Sequence, residues 1–372
     1  MEVSGVRPTK AIVHLDNIAE NVRIIRQNLS VGTEMMAVVK ANGYGHGAVP
    51  VAQAALKAGA SWLGVALAEE GVQLRQAGIT APVLILGQSW DGQIALAVEH
   101  GLDLTVFDLD TLRLVETHAK AREMPASVHV KIDTGMGRVG MVPSQWNKDW
   151  LDALHNSQWL RWRGLMTHFA ESDAPDAEFT RYQLSQFLDV IERTRMAGEL
   201  PPYLHAANSA AALRYPGTHF NLVRVGIALY GGIVHPQLKP GLTWQSQIVY
   251  LKKVAAGTPI GYGRTYRTPK SMQIATIPVG YADGYRRDWS NRASVIINRQ
   301  CYPVVGRVSM DQITVGLPLT APVRVGDRVL LMGEQGACAM TAMDLAELAH
   351  TISYEVLVGI GSRVLRQWDP PF

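Results

Sequence analysis

The stretch AVVKANGYGHG, residues 37–47, sets an apolar run against a lysine and then crowds glycines, a tyrosine and a histidine behind it. Ala37, Val38 and Val39 have the character of a strand buried on both faces, as in a parallel sheet. Lys40 closes that run, at the strand end where a barrel or a doubly wound sheet carries its reactive groups. A lysine there can snorkel, but an amine in an apolar mouth is poorly explained by packing alone.

Working outward, similar short apolar runs recur. From residue 35 they are MMAVVK (35–40), WLGVALA (62–68), PVLILG (82–87), DLTVFD (103–108), SVHVKID (127–133), GLMTHF (164–169), YLHAAN (203–208) and LVRVGIAL (222–229). Helical stretches such as VPVAQAALKAG, TLRLVETHAKAR and FTRYQLSQFLDVIERTRM separate most of them. Eight strands alternating with helices predict a TIM-like (β/α)8 barrel. An earlier strand, VHL at 13–15, is left over to pair elsewhere. It leads into a helix whose Ile18, Val22, Ile25 and Leu29 share one face.

After about residue 240 the texture changes. QSQIVYLKKV, SMQIATIPVG, ASVIINRQCYPVVG, QITVGL and DRVLLMG lie between Gly and Pro turns, with one helix expected at TAMDLAELAHTIS. The expectation is an α/β protein: a barrel over 1–240, with residues 1–15 pairing with the second domain, and a mostly β domain over 241–372.

Composition narrows the function. The 372 residues are 47% hydrophobic and 18% charged, with 35 basic against 32 acidic side chains. No block of like charge offers a nucleic-acid surface. No apolar run of membrane-spanning length occurs, Lys57 breaking the Ala-rich segment, and the N-terminus lacks signal-peptide features, so a cytoplasmic protein is expected. Cys301 and Cys338 have no metal-ligand spacing and read as inert buried thiols, and no metal site is expected.

In the barrel the chemistry-bearing residues should gather at strand C-termini. Lys40 ends the first strand. Lys131 lies in the fifth, with Asp133 and Arg138 beyond; His168 ends the sixth. Asn208 and Ser209 follow the seventh, and Arg224 and Gly226 lie in the eighth. A desolvated lysine is a nucleophile toward an aldehyde and afterwards a base. Pyridoxal 5'-phosphate supplies such an aldehyde, and Ser209 with the backbone near Gly226 suits its phosphate.

Taken in order, AVVKANGYGHG, KIDTGMGRVG, LMTHFA, HAANSA, NLVRVGIALYG, GYGRTY, VGYADGYRR, GRVSMDQ and TISYEVLVGIGSRV resemble the successive signatures of the bacterial alanine racemases, fold-type III pyridoxal-phosphate enzymes. The resemblance spans residues 37–364. It departs from the familiar KANAYGHG and GRVCMDQ forms at Gly43 and Ser309, neither of which removes an ionisable catalytic group.

The resemblance implies a two-base racemisation of L- and D-alanine through a cofactor aldimine. Lys40 would carry the cofactor and act as base on one face of Cα. Tyr262 of the partner subunit would act on the other, which makes the enzyme a homodimer. Arg224 would face the pyridine nitrogen, with His168 fixing it. Tyr44, Asn208, Ser209, Gly226 and Tyr354 would hold the cofactor, and Arg138 would reach its phenolic oxygen and the substrate. Met310 and Asp311 would present an amide and a carboxylate to alanine, with Tyr266, Tyr281 and Tyr354 narrowing the approach. Lys131 occupies a position carbamylated in many relatives, where a carbamate would pair with Arg138. The physiological role implied is D-alanine supply for peptidoglycan, or D-alanine catabolism.

The alternatives are a racemase of broader specificity, taking serine or longer side chains, and a non-catalytic carrier of the cofactor. A related decarboxylase is disfavoured, because such enzymes protonate the ring nitrogen with an acidic partner and Arg224 stands there instead.

Overall fold

The computed structural model describes residues 7–198 and 200–372. Among the described residues two compact units emerge: Ala19–Gly43 with Ala48–Leu229, and residues 7–18 with Tyr44–Gly47 and Tyr230–Phe372. The sequence suggests a boundary at residue 240, with residues 1–15 pairing with the second domain.

Strand β1 (Lys10–His14) belongs to the second unit. The first unit is an eight-stranded parallel sheet of β2 (Glu34–Val38), β3 (Trp62–Val65), β4 (Val83–Ile85), β5 (Asp103–Val106), β6 (Ala126–Lys131), β7 (Leu160–Met166), β8 (Tyr203–His205) and β9 (Leu222–Val225). The order is β8-β7-β6-β5-β4-β3-β2-β9, each expected strand present and the helices between them. The Arg224 amide donates to the Ala207 carbonyl at 2.9 Å just past β8, which bridges the remaining seam.

These runs form strands because most of their residues are buried, and Val, Ile, Leu and Met fill the interior. Met36, Trp62, Leu84, Met166 and Leu222 pack as one cluster. Truncating one of them, as in Leu84→Ala, would cost about 2–5 kcal/mol. Between β6 and β7 the register slips, from Val128 opposite Trp162 to His129 opposite Gly164, so Arg163 is the extra residue of a bulge.

In the second unit, β1 runs antiparallel to β10 (Leu242–Gln247) and parallel to a C-terminal strand, Leu365–Asp369. Residues 1–6 of the segment expected to pair with the second domain lie outside the described residues. A short antiparallel hairpin pairs Pro259–Ile260 with Tyr266–Arg267, and Tyr262 sits in the turn at its tip. Ile260, Met272, Ile274 and Val305 form a core beneath it.

Three local expectations are corrected. The single helix expected near 341–353 is two, Ala342–Leu348 and Ser353–Val358, because His350 adopts a left-handed φ of 52° between them. Leu29 lies beyond the helix Leu15–Gln27 and is half-buried, whereas Ile18, Val22 and Ile25 are buried. Cys301 is exposed and Cys338 half-buried rather than both being core thiols, since Cys301 lies on an edge strand, Gln300–Pro303. Among the described residues, no helix is long and apolar enough to cross a membrane.

Candidate active site

Lys40 follows β2 and opens an unusual turn. Ala41, Asn42 and Gly43 all lie in the left-handed region, near φ 52°, 53° and 62°, and Tyr44 follows at φ 52°. An L-residue pays about 1–2 kcal/mol for that conformation, and only Gly43 escapes it. Such local strain persists where surrounding contacts enforce it, typically at functional sites. Glu70 supplies the enforcement: its carboxylate accepts the Ala41 amide at 2.6 Å and the Ala66 and Leu67 amides at 2.8 and 3.3 Å. Asn42 Oδ1 accepts the Ala48 amide at 3.0 Å.

Burial, and then the guanidinium of Arg138, push the Lys40 amine below the usual lysine range, while Glu70 opposes them. Lys131 is 4% exposed, and burial together with Arg224 and Arg138 lowers it to about 8. Burial and the same cations, Arg224 first, hold the His168 imidazole well below its ordinary value, so it is neutral. The barrel mouth is thus rich in cations and short of negative charge. Arg138 is exposed and has no hydrogen-bond or ion-pair partner among the described residues.

Arg224 is buried, and its pKa falls to about 10, so it remains charged near neutral pH. Its Nη2 is fully engaged, and Nη1 has one of its two N–H groups paired. Nη1 donates to Nδ1 of His205 at 3.0 Å. Nη2 donates to the carbonyls of Thr167 and Ala206 at 2.7 and 2.9 Å and reaches Nδ1 of His168 at 3.2 Å. Nε has no partner among the described residues, which leaves its N–H oriented for something else.

At the ends of β8 and β9, Ser209 Oγ accepts the amides of Gly226 at 2.9 Å and Ala228 at 3.3 Å. Both lone pairs are used, so the hydroxyl proton can be given to an anion. Asn208 caps the short helix Ser209–Arg214, its Oδ1 accepting the Ala211 amide at 3.1 Å and the Ser172 hydroxyl at 2.7 Å.

The first unit therefore brings Lys40, Lys131, Arg138, His168, Asn208, Ser209, Arg224 and Gly226 to its strand C-termini. The remaining candidates belong to the second unit. There Tyr44 stacks on Tyr230 with ring centres 4.8 Å apart and lies 6.0 Å from Tyr354; burial raises its hydroxyl pKa, keeping it a donor. Tyr262, Tyr281 and Met310 are exposed, and Tyr266 is half-buried. The Tyr281 and Ala282 amides donate to the carbonyls of Ser309 and Met310, which ties those two loops together, and Asp311 pairs with Arg363 at 2.7 Å.

Sequence reasoning missed Glu70 and His205. The capping of its own helix start by Glu70 is local, but its bond to the Ala41 amide reaches 29 residues back in the chain and has no local signal. His205 stands in the quoted HAAN run and could have been noticed as a histidine two residues into a barrel strand end.

A parallel barrel whose first strand ends on a desolvated lysine, continued in the chain by a β-rich unit, is the architecture of the fold-type III pyridoxal-phosphate enzymes. Two family models match: the alanine racemase N-terminal domain over residues 13–234 and the alanine racemase C-terminal domain over 241–368. The chain is 45% identical over 372 residues to an alanine racemase of Symbiobacterium thermophilum, covering 98% of each. Among solved structures, the alanine racemase of Streptomyces coelicolor superposes with a TM-score of 0.93 at 36% identity, 98% of each chain being covered. A histidine racemase of Leuconostoc mesenteroides superposes at 0.88 with 27% identity, over 98% of this chain and 99% of that one. The chain belongs to the alanine racemase family, and its enzyme class is that of the amino-acid isomerases.

Proposed function

We infer that the protein interconverts L-alanine and D-alanine as a pyridoxal-phosphate-dependent homodimer in the cytoplasm, supplying D-alanine for peptidoglycan. The reading rests on family membership and, above all, on a desolvated Lys40 following β2 and a buried Arg224 on the neighbouring strand β9 that keeps its Nε–H unspent.

The donor set fits the cofactor. An amine whose pKa is lowered by burial suits its aldehyde, the Arg224 Nε–H suits a ring nitrogen that stays unprotonated, and the Ser209 hydroxyl suits a phosphate. When bound, pyridoxal phosphate takes up the electron pair left as substrate Cα loses its proton. We assign residues 1–240 to cofactor binding and 241–372 to completing the partner's site.

The proton has to leave one face of Cα and return to the other, so one base is insufficient. Lys40 Nζ moves the proton on one face, and the Tyr262 hydroxyl of the partner subunit moves it on the other. Tyr262 is 70% exposed within the protomer, a poor setting for a base until another surface covers it. Arg224, a permanent cation, resists protonation of the ring nitrogen and so limits charge delocalisation. His168 and Asn208 steady the groups around it. Tyr44, Tyr354, Ser209 and Gly226 bind the phosphate.

Arg138 orients the phenolic oxygen and the substrate carboxylate. Met310 and Asp311 meet the substrate, and Tyr266 and Tyr281 restrict side-chain size. Lys131, being easily neutral, can add carbon dioxide to give a carbamate that pairs with the unpartnered Arg138.

The test is D-alanine formation from L-alanine by the purified, cofactor-loaded protein. Turnover that disappears in Lys40→Ala supports the reading. A loaded protein that leaves L-alanine unchanged overturns it. Assays with histidine and serine decide breadth, a question the likeness to a histidine racemase makes specific.

A further inference from the structure

A polar line runs through the interior of the first unit, where barrels ordinarily pack branched apolar layers. It starts at Arg224 near the C-terminal mouth. Arg224 Nη1 lies 3.0 Å from His205 Nδ1, His205 Nε2 lies 2.9 Å from His129 Nδ1, and His129 Nε2 lies 3.1 Å from Asp103 Oδ2. Asp103 opens β5, at the opposite end of the barrel, and both its oxygens accept from Arg163 Nη1 at 3.0 Å. His129 and His205 are fully buried and Asp103 nearly so.

The direction of every hydrogen bond on this line is forced. Guanidinium cannot accept, so His205 Nδ1 carries no proton, and its single N–H is at Nε2. That N–H donates to His129 Nδ1, which is therefore bare, and the His129 proton sits at Nε2 and donates to Asp103. Two neutral imidazoles thus link a cation to a carboxylate with all dipoles aligned. Burial and the charge of Arg224 keep His205 neutral, in agreement.

The backbone makes room for the arrangement. A Cβ on Gly164 would come within 2.0 Å of His129 Nδ1, so β7 has a glycine opposite the ring. The bulge one residue earlier holds Arg163, whose guanidinium lies over the Trp62 ring at 4.5 Å and meets Asp103.

We propose that His129 and Asp103 are positioning residues for racemisation, acting from the far end of the barrel by fixing the tautomer and orientation of His205 and through it the aim of Arg224 Nε. The proposal rests on the role inferred above for Arg224. A carboxylate at the end of the line keeps the Nδ1 lone pair of His205 directed at Arg224; without the acceptor at His129, the His205 N–H loses its partner and the imidazole can turn over.

The experiment compares the wild type with His129→Leu, which removes the acceptor, and His129→Asn, whose Oδ1 can take the place of Nδ1 as acceptor. In the loaded enzyme, His129→Leu should lower kcat about tenfold or more with KM for L-alanine within about twofold, and shift the cofactor absorbance band; His129→Asn should recover most of kcat. In the cofactor-free protein, the downfield imidazole N–H resonance of His205 should move in His129→Leu and stay in His129→Asn. Equal kcat losses in the two variants, a His129→Leu kcat within about twofold of wild type, or an unmoved His205 resonance would overturn the proposal. Should His129→Leu fail to fold, Asp103→Asn takes its place, with a shifted His129 N–H resonance and lower kcat expected and no change in either counting against it. An inactive wild type would instead sink the racemase reading, while the resonances would still decide the hydrogen-bond line.

Discussion

Glu70 holds the amide of Ala41 at 2.6 Å, one residue beyond Lys40. The carboxylate also takes two amides of its own helix start, so one side chain joins the strained turn after β2 to the loop after β3. Replacing Glu70 with alanine should destabilise the protein by about 2–4 kcal/mol, since hydrogen bonds to a charged group contribute about 1.5–3 each and unpaired amides are costly. Chemical denaturation measures that. Because Glu70 raises the Lys40 pKa, its loss should also let that pKa fall further.

Gly43 departs from the alanine familiar in this family, and it occupies φ 62° with a notional Cβ 3.3 Å from the Ala48 backbone. Gly43→Ala adds left-handed strain of about 1–2 kcal/mol, offset by about 0.4–1 through a less free unfolded chain. A net loss near 1 kcal/mol with turnover retained is expected from thermal unfolding and a racemase assay. A loss of turnover without loss of stability would contradict it.

Lys131 predicts a pH dependence. Its folded pKa, about 8, lies below the ordinary 10.5, so the unfolded chain holds the proton to higher pH. Stability of the unmodified, cofactor-free protein should therefore rise between about pH 8 and 10.5, with the full cost present below that window. Lys40 contributes in the same direction. Unfolding curves at several pH values should show the slope reduced in Lys131→Met. If carbon dioxide adds to Lys131, bicarbonate should raise the wild-type melting temperature and leave that of Lys131→Met unchanged.

Tyr262→Phe should keep the cofactor and fold while lowering racemisation by about 10²–10⁴-fold, the usual value of a positioned acid or base. Mixing it with Lys40→Ala, each nearly inactive alone, should restore activity if protomers exchange, because a mixed dimer has one site with both bases. No restoration after verified exchange would argue against Tyr262 acting in the partner's site.

Ser209→Ala leaves the buried Gly226 amide without its acceptor. A stability loss of about 1–3 kcal/mol is expected, together with weaker cofactor retention on dialysis.

The barrel was legible because its strands are short apolar runs with helices between them, and buried parallel strands have a composition that survives in one dimension. Lys40, Arg224 and Ser209 were legible for the same reason: topology places every strand end at one mouth. Boundaries were less so. The helix over 341–353 broke at His350, a backbone choice that its apolar periodicity does not encode.

The chain's sequence by itself determined the eight strands, the lysine at the first strand end and membership of its family, because hydrophobic periodicity and ordered motifs are local properties. Only the tertiary structure decided that Glu70 restrains the turn after Lys40, that Arg224 keeps its Nε–H free of partners among the described residues, and that His129 and Asp103 stand in line with it. Those facts depend on distances between residues far apart in chain and on which polar atoms remain after each hydrogen bond is taken, and neither is written in any single segment.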